Sequence, residues 1–271
     1  MNPDELSGAL LRARTAAEAA GELLRDYQLR LSGLKIDSKS SSVDLVSEAD
    51  VEAEKQIVQS LRNAVPGAGF IGEESTEARD DSADFHWVID PLDGTSNYLA
   101  GLPIWAVSIG LVDSAMRPLC GVVHAPLMSK TWTALDGGGA QINGSRMSVR
   151  TQPVGGGWRN AMLATGFPYD ACSNPEDETL PQFVKMQQRF HKIRRLGSAA
   201  IDMALVAEGV YDGMWELRLK SWDTAAGAIM IREAGGVVSR FDGSDYTPGD
   251  IDLVAAGTPA LRDEICRVLV N

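Results

Sequence analysis

The chain has 271 residues, 44% of them hydrophobic and 23% charged, and a formal net charge of −12, which is an ordinary composition for a globular protein. No segment approaches the roughly 18 consecutive apolar residues of a membrane span. Lys and Arg form no long cluster of the kind that marks a nucleic-acid-binding face, so we expect neither a membrane nor a nucleic acid as partner.

The first twenty residues lack the basic region and the apolar region of a secretory signal. The three cysteines, Cys120, Cys172 and Cys266, are far apart and odd in number. They indicate free thiols in a reducing compartment, so we expect a cytoplasmic protein.

The first element is a helix that begins at Asn2-Pro3-Asp4-Glu5, where a cap residue, a proline and two acids stand in the order typical of a helix start. Apolar residues continue at helical spacing to about residue 31. The Gly, Lys and Ser content of residues 33–50 predicts a mobile loop. Ser47 and Asp50 then resemble a capping box, which predicts a second helix that ends before Pro66.

From residue 70 the pattern changes to short strand-like runs separated by Gly, Pro or Asp turns. An Asn143-Gly144 turn follows them, and this dipeptide is the strongest short signal for a hairpin. No full-length helix separates these runs, which favours an antiparallel or mixed sheet. The predicted strands are 70–74, 85–90, 105–113, 119–126 and 130–136.

After residue 150 helices and strands alternate, which is typical of an α/β arrangement. We therefore predict an N-terminal α+β half over 1–150 and a smaller C-terminal α/β half over 151–271. No Gly/Ser linker separates the halves, so we expect them to pack as one unit. The predicted helices are about 176–190, 198–209, 222–236 and 258–269, and the predicted strands are 192–196, 211–217, 236–241 and 252–257.

The segment GAGFIG at 67–72 matches the G-x-G-x-x-G pattern of dinucleotide-binding proteins. That pattern should follow a strand and open a helix, whereas this segment follows a helix and enters a strand. A turn leading into a strand is the better interpretation.

The segment WVIDPLDGTSN at 87–97 places Asp90 at the end of a buried strand. Pro91 is expected to end the strand pairing, and the turn can direct Asp93 and the Leu92 carbonyl to the same side as Asp90. These are hard oxygen ligands of the type that magnesium prefers. An acidic turn stabilised by its own hydrogen bonds explains the residues about equally well.

Acidic residues elsewhere are less specific. Glu73 and Glu74 follow an apolar strand, and a solvated strand end is their simplest interpretation. Asp223 opens an Ala- and Gly-rich helix, where an acid commonly acts as a cap. The small residues that follow Asp223 predict that this helix approaches a sheet closely and holds Asp223 in a defined place.

Taken in order, these segments resemble the inositol monophosphatase family of magnesium-dependent, lithium-sensitive phosphatases, and the resemblance covers nearly the whole chain. The matching segments are KSSSVDLVSEAD at 39–50, GEES at 72–75, WVIDPLDGTSNY at 87–98, AVSIGL at 106–111, ATGFPY at 164–169, RRLGSAA at 194–200 and WDTAAG at 222–227.

The resemblance implies a layered αβαβα sandwich, usually a homodimer, with a mixed and largely antiparallel N-terminal sheet. It implies two or three Mg²⁺ ions per active site. Their ligands would be Glu73, Asp90, the Leu92 carbonyl, Asp93 and Asp223.

The resemblance also implies roles around the metals. Gly94 and Thr95 would hold the phosphate, and Asp50 would hydrogen-bond Thr95. Together with Glu73 they would orient and deprotonate the attacking water. The substrate alcohol would lie against Asp93, Gly197, Ser198, Ala199, Glu216 and Asp223, and a mobile loop that contains Lys39 and Asp44 would close over the site.

The departures from the family pattern are few. Leu92 and Tyr98 stand where Ile and Phe are usual, and Lys220 replaces a histidine of the animal enzymes. Lys220 is expected near the substrate rim, so it bears on the choice of sugar.

We therefore expect magnesium-dependent hydrolysis of a small polyol or sugar monophosphate, with inositol monophosphate as the favoured substrate, by in-line attack of a metal-activated water. The alternatives within this chemistry are histidinol phosphate, fructose 1,6-bisphosphate and adenosine 3′,5′-bisphosphate. A regulatory role, with binding to RNA-processing machinery, is an alternative of another class.

Overall fold

A computed structural model describes residues 1–33, 39–74, 80, 82–168 and 179–270, and the side chains of all of these except 31–33 and 39–47. Cys172 lies outside the described residues. Within them, no helix has both the length and the apolar character needed to cross a membrane.

Two long helices open the chain and pack against each other: α1 (Pro3–Gly33) and α2 (Lys39–Leu61). The helix start at Asn2–Glu5 is confirmed, since Asn2 and Glu5 cap each other through reciprocal hydrogen bonds of 2.9 Å. The prediction of a loop over 33–50 is wrong from Lys39 onward, because the backbone of Lys39 and Asp44 is helical. Serine disfavours a helix interior only weakly, so it did not prevent an early start.

The first sheet has seven strands in sequence order: β1 (Gly69–Gly72), β2 (Phe85–Asp93), β3 (Ala106–Asp113), β4 (Pro118–Ala125), β5 (Lys130–Leu135), β6 (Gly139–Ile142) and β7 (Ser145–Arg146). β1 pairs with β2 in parallel and all other pairs are antiparallel. The prediction of a mixed, largely antiparallel sheet is therefore confirmed.

The second sheet has five strands, in the order β11-β12-β10-β8-β9. They are β8 (Met162–Thr165), β9 (Lys192–Arg194), β10 (Gly213–Leu217), β11 (Val237–Ser239) and β12 (Asp252–Ala256). The helices after the first pair are α3 (Thr95–Leu99), α4 (Thr179–Arg189), α5 (Ala199–Ala207), α6 (Ser221–Glu233) and α7 (Pro259–Val270). Sequence patterns had predicted neither β8 nor α3.

The elements form five layers, as the αβαβα prediction requires. Helices α1 and α2 cover one face of the first sheet, α5 and α6 lie between the two sheets, and α4 and α7 cover the outer face of the second sheet. Four apolar clusters of the described residues fill the spaces between these layers.

Helix α6 lies very close to the first sheet because glycines face it. A Cβ atom on Gly110 would lie 2.9 Å from Ala225 Cβ, and one on Gly121 would lie 2.7 Å from Ala226 Cα. This contact confirms the predicted close approach of the helix to a sheet. This close contact places the N-terminus of α6, which includes Asp223, near the C-terminal end of β2.

Candidate functional site

The strand pairing of β2 is irregular at its C-terminal end, and this irregularity sets the directions of the Asp90 and Asp93 side chains. Asp90 pairs with Ser108 and Asp93 with Ala106, with a register shift between the two pairs. Pro91 therefore interrupts the pairing but does not end it, because the ladder resumes at Asp93. The Leu92 amide donates to Asp90 Oδ1 over 2.9 Å and fixes the turn.

Three carboxylates from distant parts of the chain meet at this turn. Asp90, Asp93 and Asp223 each offer an oxygen, and these oxygens lie within 4.8 Å of one another. Asp223 stands in the first turn of α6, and its Oδ2 accepts a 2.6 Å bond from the Lys220 amide. The cap expected at the helix start is thus present, and the same side chain also reaches the acidic cluster.

The cluster raises the pKa of each of its members. Burial, followed by the charges of Asp93, Glu73 and Asp223, raises the pKa of Asp90 well above its ordinary value. Burial also raises the pKa of Asp93, against hydrogen bonds from Ser198 and backbone amides. Burial and then the Asp93 charge raise the pKa of Asp223 to about 7. These carboxylates are electrostatically unfavourable together unless protons or cations lie among them.

The donor set fits a hard divalent cation. Carboxylate oxygens that face one another at this separation are the ligands that magnesium and calcium take. Glu73 adjoins the cluster: its side chain shares a hydrogen bond with Asp90, and its amide donates to Ile89 O over 3.1 Å. The residues present therefore suit a bound metal.

Asp93 is anchored from the other half of the chain. Ser198 Oγ donates to Asp93 Oδ2 over 2.5 Å, and the Ala200 amide donates to the same oxygen over 2.8 Å. Both donors lie at the N-terminus of α5, which follows Gly197. Both bonds are made to Oδ2 and hold the Asp93 carboxylate in one orientation.

Gly94 and Thr95 form the tight corner after β2. Gly94 has φ 97°, and a Cβ there would lie 2.9 Å from the Ile104 carbonyl oxygen, so only glycine fits this corner. The Thr95 hydroxyl donates to the Leu92 carbonyl over 3.1 Å. No hydrogen bond joins Thr95 to Asp50 among the described residues, so the bond that the resemblance implies stays a prediction.

Asp50 lies on α2, beneath the GEE segment. Its side chain is only 6% exposed, and Oδ1 has no hydrogen-bond partner among the described residues. Burial, followed by the charges of Glu74 and Glu73, raises its pKa to about 8. One turn further along α2, Glu54 accepts from the Glu74 amide over 2.9 Å.

The acidic cluster forms the floor of a cavity of about 610 Å³. This volume lies in the range of pockets that enclose a small-molecule ligand. Most residues named from the sequence line the cavity: Glu73, Asp90, Leu92, Asp93, Gly94, Thr95, Gly197, Ser198, Ala199, Glu216, Lys220 and Asp223.

Three of the residues named from the sequence are not among the described residues that line the cavity. Asp50 is not part of the cavity lining and lies behind Glu73. Lys39 and Asp44 belong to the backbone of α2, but their side chains lie outside the described residues, so closure over the site stays a prediction.

Glu216 reaches the cavity from β10 because Gly166, the residue directly after β8, has no side chain. A Cβ on Gly166 would lie far inside van der Waals contact with Glu216 Oε1. Burial, followed by the charges of Asp93 and Asp223, raises the pKa of Glu216 to about 8, and Arg195 opposes the rise.

Sequence reasoning missed several residues of the cavity. Asp202 is 1% exposed, lines the wall on α5 and has an unpartnered Oδ1 among the described residues. In the sequence it resembles an ordinary first-turn acid of a helix. Asn97, Gly166, Phe167, Arg195 and Arg218 are among the other lining residues that were missed.

Comparison with known proteins points to one family. A sequence model of the inositol monophosphatase family matches residues 8–271. The chain is 42% identical over 253 residues to Nus factor SuhB of Pseudomonas aeruginosa, covering 92% of each chain. It is 38% identical over 256 residues to inositol-1-monophosphatase of Mesorhizobium japonicum, covering 94% of this chain and 91% of that relative.

A solved structure agrees with the sequence comparison. The inositol monophosphatase from Anabaena superposes with a TM-score of 0.83 at 31% identity, covering 96% of this chain and 94% of that one. The similarity therefore extends over both sheets and all five layers.

Proposed function

The chain belongs to the inositol monophosphatase family and is a phosphoric monoester hydrolase, and on that premise we propose that it hydrolyses a small polyol or sugar monophosphate, with inositol monophosphate the favoured substrate. The observation that carries the proposal is the convergence of Asp90, Asp93 and Asp223 on the floor of the cavity.

Metal binding is the first part of the proposed mechanism. Asp90, Asp93 and Asp223 would hold Mg²⁺, with Glu73 and the Leu92 carbonyl as further ligands, for two or three ions in all. When bound, these ions would neutralise the acids and lower the pKa of a water molecule. Ser198 and the Ala200 amide keep Asp93 in place for this task.

The chain's own residues would position the phosphate and accept the proton of the attacking water. The amides of Gly94 and Thr95 would hold the phosphate, as backbone N–H groups at a corner can. Asp50 has a pKa of about 8, close to the operating range in which a general base is effective. Glu73 in the cavity, supported by Thr95 and by Asp50 behind it, would orient that water and help to remove its proton, while Glu216 would bind a hydroxyl of the alcohol.

The decisive experiment is phosphate release from inositol 1-phosphate, with Mg²⁺ and after its removal by chelation. We expect Asp93→Asn to lose at least about a hundredfold in kcat while it keeps the wild-type far-UV circular dichroism. Asp136→Asn, a change of the same type at an acid outside the cavity lining, is the matched control and should keep full activity. Wild-type turnover by Asp93→Asn would refute the role proposed for Asp93.

The same assay orders the possible substrates. Histidinol phosphate, fructose 1,6-bisphosphate and adenosine 3′,5′-bisphosphate are the other substrates to test under identical conditions. We further propose that lithium inhibits this hydrolysis and that the protein is cytoplasmic. We also propose that it forms a homodimer, whose mass light scattering would measure directly.

A second role has one observation in its favour: the relative at 42% identity is named a Nus factor. A regulatory role that depends on binding, with RNA-processing machinery as the partner, is therefore our alternative. In a strain that lacks this chain, restoration of growth by Asp93→Asn at the wild-type level would support that role. If Asp93→Asn did not restore growth, hydrolysis would be the function that the strain requires.

A further inference from the structure

Asp202 is a buried acid that the proposed mechanism does not use. It is the only polar residue of α5, and every residue of that helix is buried. Its side chain is 1% exposed, and within the part of the chain that the structure describes its Oδ1 has no hydrogen-bond partner. Because a buried polar group without a partner destabilises a fold, its place in an otherwise apolar helix needs a reason other than packing.

Capping of α5 does not supply that reason. Ser198 is the N-cap residue, and its Oγ accepts a hydrogen bond from the Ile201 amide over 3.4 Å. Asp202 stands one turn inside the helix, where its amide donates to the Ser198 carbonyl over 3.0 Å. The cap is therefore complete without the Asp202 carboxyl.

The geometry of α5 directs Asp202 toward the cavity. Residues three and four positions apart share one face of a helix, so Asp202 lies on the same face as Ala199 and Ser198, and all three line the cavity. Ser198 holds Asp93 at the start of that face. Asp202 thus lies one helical turn, roughly 5 Å, further along the same wall from the metal site.

Glu216 lines the same cavity from β10. Burial is the main cause of the raised pKa of Asp202, and the Glu216 charge is the next, so the two carboxyl groups lie close enough to interact. No hydrogen bond joins them among the described residues, and each can therefore bind a separate group of a ligand. A carboxyl that keeps its proton both donates and accepts hydrogen bonds, which suits it to a hydroxyl.

We propose that Asp202 is a specificity-determining residue that binds a hydroxyl of the substrate alcohol, different from the hydroxyl that Glu216 binds. This rests on the proposed function and deepens it, because the cavity would then recognise at least two hydroxyls beyond the phosphate ester. An alcohol that lacks the matching hydroxyl would leave the buried carboxyl unpaired, and sites of this kind discriminate strongly against such analogues.

The test uses inositol 1-phosphate and its monodeoxy analogues, each of which lacks one free hydroxyl. For the wild type we expect kcat/KM to fall at least about tenfold for two or more of the analogues. In Asp202→Leu, which replaces the carboxyl with an apolar group, one of these penalties should disappear while the others remain. Glu216→Gln should reduce the penalty at a different hydroxyl.

Three measurements separate hydroxyl binding from support of the fold. Asp202→Asn should keep most of the wild-type penalties, because an amide also donates and accepts. Leu205→Met changes a buried residue of α5 by a swap of similar volume at a position that is not among the described residues lining the cavity, and it should keep all of them. Asp202→Leu should hydrolyse p-nitrophenyl phosphate, which has no polyol hydroxyl, at nearly the wild-type rate.

Asp202→Ala serves the same purpose if leucine disturbs the packing of α5, since alanine removes the carboxyl without adding bulk. If the variants without the carboxyl kept the wild-type penalty for every analogue, Asp202 would have a structural role only and the inference would be overturned. Loss of the same penalty in Asp202→Leu and Glu216→Gln would overturn the assignment of separate hydroxyls. Absence of Mg²⁺-dependent turnover of every phosphate ester would instead overturn the proposed function, and the role of Asp202 with it.

Discussion

Gly166 determines how far Glu216 can extend into the cavity. Since a Cβ at this position would overlap the Glu216 carboxylate, Gly166→Ala must displace the carboxylate from the wall. We expect kcat/KM for inositol 1-phosphate to fall about tenfold, mainly through KM, because a hydrogen bond to a substrate hydroxyl is lost.

A second substrate distinguishes displacement of Glu216 from general damage to the site. p-Nitrophenyl phosphate has no polyol hydroxyl, so its hydrolysis by Gly166→Ala should fall far less than that of inositol 1-phosphate. Glu216→Gln should show the same selective loss. Equal losses on both substrates would mean that Gly166 supports the whole site and not Glu216 in particular.

From the sequence, a site residue could be placed in the fold only where its immediate neighbours along the chain indicate its position. Asp90 could be placed at a strand end because Trp87, Val88 and Ile89 form an apolar run before it. Whether the turn was a metal site depended on a third carboxylate, Asp223, which packing brings within 4.8 Å from 130 positions away. Local patterns contain no information about that separation, and only the family resemblance supplied it.

At the scale of elements, the contact between α6 and the first sheet positions the metal site. Gly121 faces the α6 backbone, and a Cβ there would lie 2.7 Å from Ala226 Cα. Gly121→Ala should therefore push the helix outward, since backbone cannot move aside as a flexible side chain can. Overpacking of this kind costs about 1–3 kcal/mol, and it should also weaken Mg²⁺ binding by moving Asp223.

Calorimetry and a magnesium titration of Gly121→Ala would measure the two effects. Gly8→Ala is the matched control, because a Cβ on Gly8 meets nothing within 4 Å and alanine is the better helix former. That variant should be slightly more stable than the wild type and bind metal normally. A Gly121→Ala protein with unchanged metal affinity would show that α6 tolerates displacement without moving Asp223.

The elements that could be predicted are those with strong periodicity or clear turns. The strands from β1 to β5 were found because Gly, Pro and Asp separate apolar runs, and the hairpin at Asn143-Gly144 was found from its turn. α3 has only five residues and β8 only four, too few to show a period. The order β11-β12-β10-β8-β9 depends on contacts between distant segments, which local patterns do not encode.

At the scale of the whole molecule, the central core joins the two predicted halves. It contains Trp132 and Ala134 from the first sheet together with Ala200 and Ile229 from the helices between the sheets. The hydrogen bonds from Ser198 and Ala200 to Asp93 cross the same boundary. We infer that residues 1–150 and 151–271 pack as one unit, with the acidic cluster at their junction.

Such a cluster makes the stability of the metal-free protein depend on pH. Asp223 of the cluster has a pKa of about 7 in the fold, and the nearby Glu216 and Asp50 have pKa values of about 8, whereas a carboxyl of the unfolded chain has a pKa of about 4. The folded chain therefore keeps protons that the unfolded chain has lost between these values. The stability that these groups contribute is complete below about pH 4 and is lost as the pH rises toward 8.

Magnesium should reverse this loss at Asp90 and Asp223, because their ionised carboxylates are its proposed ligands. At a concentration about 100 times Kd, a ligand adds about 2.7 kcal/mol, which for a chain of this size raises Tm by roughly 5–10 °C. We expect this rise in Tm to be small at pH 5 and largest near pH 8, as measured by calorimetry with and without Mg²⁺. In the double variant Asp90→Asn/Asp223→Asn, the Tm of the metal-free protein should depend less on pH, and addition of Mg²⁺ should leave that Tm unchanged. The control variant Asp136→Asn should behave as the wild type in both respects. If the rise in Tm were equal at pH 5 and pH 8, protons and metal would not compete for the cluster, and the cluster would not be where the stabilising metal binds.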